Sequence, residues 1–262
     1  MLKRYFARLS SPGILIAMAL TLSCSTGGGH HGVAGPEVDF QKGKVAHENG
    51  HHLRAIELLD GFEYMHPGSR FVDDALFYLG LSHGANGEQI LARQSFQRLL
   101  EAFPRSDYAE NAYFEIAHSW YRSKRGAELD PEPVQEAILA FETYERRYPN
   151  GEFVERANES LREIHCLLAE KDYRNGQTYL KIKRYPAARK YFQQAADRSI
   201  DAPCLAKALE GIAKTYEKEQ DWTSARETYL ELAGLLADNS DRYDDGPKIA
   251  NRLDKKLASL PE

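Results

Sequence analysis

The sequence predicts an all-α protein built as an array of about five helical hairpins, and three observations carry that expectation. A helix-and-stop pattern recurs: Ala55, Leu59, Phe62, Pro67 and Ala75, then Ala92, Phe96, Leu99, Pro104 and Ala112, then Ala137, Phe141, Tyr144, Pro149 and Ala157. Offsets of 0, 4 and 7 share one face of a helix, and the proline at offset 12 ends it. Asn49-Gly50 and Asn86-Gly87 stand six residues before Ala55 and Ala92, and this pair tolerates the positive φ of a helix-to-helix turn. Finally, Gly43, Gly80, Gly176 and Ala213 lie twelve residues before Ala55, Ala92, Ala188 and Ala225. Paired small residues let two helices approach closely, and repetition at such a period marks a solenoid.

Taken in order, the chain opens with a segment outside the fold. Lys3, Arg4 and Arg8 form a positive n-region, and Gly13–Leu22 is an apolar run too short to span a bilayer, so residues 1–23 read as a signal peptide. Residues 24–36 are a glycine-rich tether, and residues 37–237 hold the repeats. In the first unit a helix runs from Glu37 to about Glu48, and a second carries Ala55, Leu59 and Phe62 to Pro67. The second unit, 37 residues on, repeats the plan from Phe71 to Pro104. The third has a gap of twenty between its small residue, Ala117, and Ala137; the extra eight residues fall in Arg122–Val134. Asp130-Pro131 there is expected to begin the next helix, aspartate as cap and proline at the first helical position. Lys171–Asp197 and Ala206–Leu236 make units four and five, neither with a proline at offset 12. Residues 238–262 read as a cap or tail.

The order small–Ala–aromatic–Pro resembles the tetratricopeptide repeat, so the fold class expected is a right-handed superhelical array of about five tetratricopeptide-like hairpins. The run Leu20-Thr21-Leu22-Ser23-Cys24 resembles the bacterial lipobox, with Thr21 where leucine is usual. That resemblance implies lipidation of Cys24, and Ser25 after it implies the outer membrane by family rule. Acyl chains would hold the protein at a membrane surface without a spanning helix. Two cysteines remain. Export permits a bridge between Cys166 and Cys204, but the expected role of each is a small buried apolar side chain.

Chemistry is hard to find. A formal charge of −5 without a basic stripe gives no reason to expect nucleic acid as a partner. His47-Glu48-Asn49-Gly50-His51 fits the H-E-x-x-H pattern of zinc proteases, which needs both histidines on one helical face. The repeat register instead puts Asn49-Gly50 in a turn between them. No glycine-rich phosphate loop and no G-x-S-x-G elbow occurs. Carboxylates such as Glu142 and Glu145 alternate with Arg146 and Arg147, as on a solvated helix face. Neither an enzyme nor a cofactor is expected.

A binding surface is expected on the first helices, which line the concave side of such arrays. The position three before each small residue is Phe40, Phe77, Phe114 and, in unit four, Tyr173; in unit five it becomes Glu210, with Lys207, Lys214 and Glu217 nearby. Together with His47, His118 and Tyr121 further along the same faces, the aromatic positions make a candidate peptide groove. The alternative is that the rings pack between neighbouring hairpins.

From about Phe40 to Leu236 the sequence resembles the BamD family, lipoproteins of the outer-membrane β-barrel assembly machinery. The residues that carry this are Asp130 followed by Ala137 and Phe141, then Arg147-Tyr148-Pro149-Asn150-Gly151, Leu161, Leu168-Ala169-Glu170, Tyr179-Leu180-Lys181, Tyr185, Ala187-Ala188 and Phe192. The chain departs from the family at Ile200-Asp201-Ala202-Pro203-Cys204, where another Tyr-Pro is usual. The resemblance implies a non-enzymatic scaffold, lipid-anchored at the outer membrane and facing the periplasm. Its implied partners are the periplasmic domains of a BamA-like barrel protein, other assembly lipoproteins and unfolded outer-membrane proteins. An alternative is a periplasmic repeat protein for envelope maintenance or division, associated with the Tol system; such proteins usually carry a coiled-coil segment and no lipobox.

Overall fold

The computed structural model describes residues 35–123, 131–200, 202–239 and 246–260, and among these every regular element is a helix. Helices α1 (Pro36–Glu48) and α2 (His52–Leu59) form the first hairpin, with a single extra turn, α3 (Phe62–Met65). The second hairpin is α4 (Val72–Ala85) with α5 (Gln89–Ala102), and the third is α6 (Ala109–Ser123) with α7 (Pro131–Arg147). The fourth pairs α8 (Val154–Lys181) with α9 (Tyr185–Arg198), and the fifth α10 (Ala202–Glu219) with α11 (Trp222–Asp238). Helix α12 (Gly246–Ser259) follows. Asp130 and most of the third-unit insertion lie outside the described residues.

One contact explains the repeat. The alanines Ala55, Ala92, Ala137, Ala188 and Ala225 are all buried, and so are Leu59, Phe96, Phe141, Phe192 and Tyr229 four residues on. That larger side chain lies against the small residue of the paired first helix. A Cβ placed on Gly80 would come within 2.6 Å of the Phe96 ring, and one on Gly176 within 2.6 Å of Phe192. Gly43 faces Leu59 in the same way. Gly211 of α10 meets Phe192 from the other side, also at 2.6 Å, so this ring joins the fourth hairpin to the fifth. Burying one such ring contributes about 1.5–3 kcal/mol.

Three sequence expectations change. The second helix of unit one does not run unbroken to Pro67. Asp60 leaves the helix at ψ 130° and Gly61 takes φ 73°, so the helix stops and restarts for one turn. Phe62 still reaches the core. The first helix of unit four does not begin near Lys171: α8 is 28 residues long. No proline or glycine interrupts it before Gly176, so its first half buries Ala157, Leu161 and Ile164 with the third hairpin while its second half pairs with α9. Finally, Cys166 and Cys204 are bridged, Cα atoms 5.8 Å apart, tying α8 to α10. The adjoining cluster has Ala169, Ala195 and Ala208 as its buried members, so the bridge crosses an interface whose fully buried side chains are small. Cross-links of this kind stabilise by about 2–4 kcal/mol.

Gly80→Ala is expected to destabilise by about 1–3 kcal/mol, because the methyl must push the Phe96 ring. Gly234→Ala in α11, where nothing lies within 4 Å of the added Cβ, should instead stabilise by about 0.5–1 kcal/mol. Urea denaturation of the two variants checks this; shifts of the same sign would contradict the packing described.

Candidate functional site

The three phenylalanines expected to line a groove are core residues. Phe40, Phe77 and Phe114 are 3%, 7% and 1% exposed. Each stacks on an aromatic that opens the next hairpin: Phe40 on Phe71 at 5.4 Å, Phe77 on Tyr108 at 4.4 Å, Phe114 on Phe153 at 4.7 Å. Arg156 adds its guanidinium over Phe114. The row is therefore the packing between hairpins, and its partners are spaced 37 and then 45 residues apart, the third-unit insertion added. Tyr173 is half-buried against Phe192, 5.3 Å between centroids. Tyr121 is half-buried, and its hydroxyl donates to Glu163; burial and then this bond push its pKa up to about 12.

The polar members of the set do meet. His47 at the end of α1 and His118 on α6 line one cavity of about 230 Å³, with Glu115 and Arg122 beside His118. Gly80, Gly84, Ala92 and Phe96 line it too, so the apolar part includes the seat of the packing ring described above. His118 Nδ1 is 3.5 Å from Glu115 Oε2, and its ring stacks at 5.8 Å on the buried Phe114. The orientation of His47 is fixed. Ser82 Oγ donates to the Tyr78 carbonyl at 2.7 Å, so at 2.9 Å it accepts from His47 Nδ1–H, and Nε2 carries no proton in the neutral ring. Burial first, and then His52 with its centroid 5.2 Å away, lower the His47 pKa against a smaller opposing effect of Glu48. Between His47 and His51 the helix ends, and Gly50 takes φ 76°, so the two histidines do not share a helical face.

The charged positions of unit five are paired. Lys214 lies 2.8 Å from Glu210, Lys207 3.6 Å from Glu170, and Lys256 of α12 2.7 Å from Glu217 Oε1, an ion-pair contact without an aligned hydrogen bond. Leu253 and Leu260, flanking that lysine, are buried with α11, so the C-terminal helix lies against this face as a cap.

A set of residues not singled out from the sequence holds the turns that position these helices. In each of the first three units an acid near the start of the first helix accepts from the turn that closes the second. His66 Nε2 is 3.2 Å from Asp39; Ser106 donates to Asp73 at 2.7 Å and Tyr108 to Asp74 at 3.0 Å. In unit three Glu110 Oε1 accepts from Tyr144 OH at 2.8 Å and from the Glu152 N–H at 2.6 Å. Tyr144 OH in turn accepts from the Phe153 N–H at 2.9 Å. Burial and then the bond to Glu110 push the Tyr144 pKa up to about 12, so it stays a donor. Gly151 presses on this pair so closely that no Cβ fits. Asp73 and Glu110 are 37 residues apart, the signal by which these residues could have been found.

The class these hairpins define is that of helical-repeat proteins. The family described as "Outer membrane lipoprotein" (YfiO) matches residues 35–230, and the chain belongs to it. Two relatives are both described as "Outer membrane protein assembly factor BamD". The one from Vibrio cholerae is 22% identical over 215 residues, covering 78% of this chain and 89% of its own. The one from Caulobacter vibrioides is 22% identical over 180 residues, covering 69% of this chain and 59% of its own. Among solved structures, a chain of the TPR2AB-domain:pHSP90-complex of yeast Sti1 aligns over 85% of this chain and 97% of its own, at 13% identity and a TM-score of 0.39.

Because the His47 pKa is depressed on folding, the unfolded chain takes up the proton first as pH falls below 6.5, and stability drops until the folded-state value is passed. Above pH 6.5 the ring is neutral in both states and nothing is lost. In His47→Asn the drop across that window should shrink. Urea denaturation on either side of it measures this; an unchanged acid limb would contradict the burial of His47 as a neutral donor.

Proposed function

We propose that this protein is a non-enzymatic scaffold of outer-membrane β-barrel assembly. It is anchored through lipidated Cys24 after removal of residues 1–23, with residues 24–36 as its tether and its repeats in the periplasm. It works beside a BamA-like barrel protein, whose periplasmic domains it binds, and beside other assembly lipoproteins. The observation that carries this is the family match over residues 35–230, together with two relatives each described as an outer membrane protein assembly factor. The fold supports it: the packing of the hairpins uses the repeat residues themselves, leaving surface side chains for partners.

Unfolded outer-membrane proteins are the clients in this reading. The cavity at His47 and His118, rather than the row of phenylalanines, is where an extended client segment finds an apolar floor with polar walls. The half-buried Tyr121 and Tyr173, on α6 and α8, are the aromatic side chains of the first helices that this reading adds to the groove. Extended segments in such grooves are held by side-chain pockets spaced along the chain.

Membrane fractionation and affinity capture test this together. The protein should sediment with the outer membrane and bring down a BamA-like barrel protein; Cys24→Ala should leave the membrane fraction. Unchanged fractionation of Cys24→Ala would refute the anchor, and capture of Tol or peptidoglycan proteins without a barrel protein would refute the assembly role.

A further inference from the structure

Arg93, on the inner face of α5, is a cation only 7% exposed. Its Cζ lies 3.5 Å from the centre of the Trp120 ring. Its Nη1 donates to Ser123 at 3.2 Å and, at the edge of hydrogen-bond range, to Ser119 at 3.4 Å. Both serines already spend their protons on the carbonyls of Ile116 and Ser119, so they can only accept. Among the described residues no carboxylate pairs with Arg93, and its Nε and Nη2 make no hydrogen bond. Burial alone lowers its pKa. The C-terminal end of α6 offers partial negative charge, but a buried guanidinium commonly has an anion as well.

The group opens onto a cavity of about 770 Å³, lined by the start of α5, the end of α6 and, through Glu132 and Pro133, the start of α7. Arg122, exposed and with no ion pair among the described residues, lines it too, as do Ile90 and Leu91 in the first turn of α5. The N–H groups of Ile90 and Leu91 have no backbone acceptor, as is normal at a helix start, and they add positive potential. The wall is held firm: Glu88 is bound to His83 at 2.7 Å, and Gln89 donates to the Gly84 carbonyl at 3.0 Å. Glu132, also in the lining, has a partner of its own. Exposed Ile90 and Leu91 leave an apolar rim.

We propose that this cavity binds a carboxylate presented by a partner polypeptide, an aspartate or glutamate side chain. Arg93 is its charged centre, Trp120 is the platform that orients the guanidinium, and Arg122 is the second cation. A planar fork with free Nε and Nη2 is the geometry that takes a carboxylate by two parallel bonds. The apolar rim takes a neighbouring apolar residue of the same segment. The inference does not rest on the assembly role, since its readout is carboxylate binding and not barrel folding.

The test uses the full chain carrying Trp222→Phe, which leaves Trp120 as the single tryptophan of the two in the sequence. Its emission is followed while N-acetyl-glutamic acid amide is added, with N-acetyl-glutamine amide and inorganic phosphate as controls at matched ionic strength. A saturable change with the glutamate compound and none with the glutamine compound is expected. Arg93→Lys should weaken binding by about tenfold through loss of the fork, Arg93→Met should abolish it, and Arg122→Ala should weaken it several-fold. Circular dichroism establishes that each variant is folded; should Arg93→Met not fold, the lysine variant and Arg122→Ala decide. No saturable change, an equal response to glutamine, a stronger response to phosphate, or unchanged affinity in Arg122→Ala would overturn the proposal.

Discussion

The contact on which the rest depends is a large apolar side chain pressed against a residue with almost none. Phe96 on Gly80 and Phe192 on Gly176 set how closely two helices of a hairpin approach, and a single added methyl meets the ring at 2.6 Å. Because the alanine four residues earlier is also buried, each second helix is fixed in rotation as well as in distance. Phe192 meets Gly211 besides Gly176, so the same ring sets the spacing to the following hairpin. The placement of His47, His118 and Arg93 around the second hairpin follows from that spacing.

Turns are held by a second device, and it changes along the chain. The first three units use an acid on the first helix, Asp39, Asp73 with Asp74, or Glu110, to hold the turn that closes the second helix. The strongest instance is in unit three, where Glu110, Tyr144, Gly151 and Phe153 interlock. This accounts physically for the run Arg147–Gly151 that carries the family resemblance. Beyond it the proline at offset 12 is missing, and α8 and α10 are instead joined covalently by Cys166 and Cys204. The departure at Ile200–Cys204 thus coincides with a change from hydrogen-bonded turn to disulfide.

The fold was legible in the sequence because its governing contact is periodic. Gly43, Gly80, Gly176 and the alanines twelve residues on could be aligned without a structure, and five hairpins result. What was not legible follows from the same physics. A buried phenylalanine and a groove phenylalanine have the same helical spacing, so Phe40, Phe77 and Phe114 were ambiguous until Phe71, Tyr108 and Phe153 were seen to cover them. The break at Asp60-Gly61 interrupts a helix whose apolar pattern continues through Phe62. The bridge between Cys166 and Cys204 depends on α8 running unbroken for 28 residues, which brings two cysteines 38 positions apart side by side. Arg93 carries no periodic signal, since one arginine on a helix ordinarily reads as solvated.

The repeats pack as a support, and function falls to what their surface binds. The proposed role is in folding β-barrels into the outer membrane, and the direct test is controlled depletion of the protein in the cell that makes it. The quantity to measure is the fraction of outer-membrane barrel proteins that resist unfolding in detergent until heated. This folded fraction is expected to fall as the protein is depleted and unfolded precursors to accumulate, while inner-membrane proteins stay unchanged. A normal folded fraction after complete depletion would contradict it.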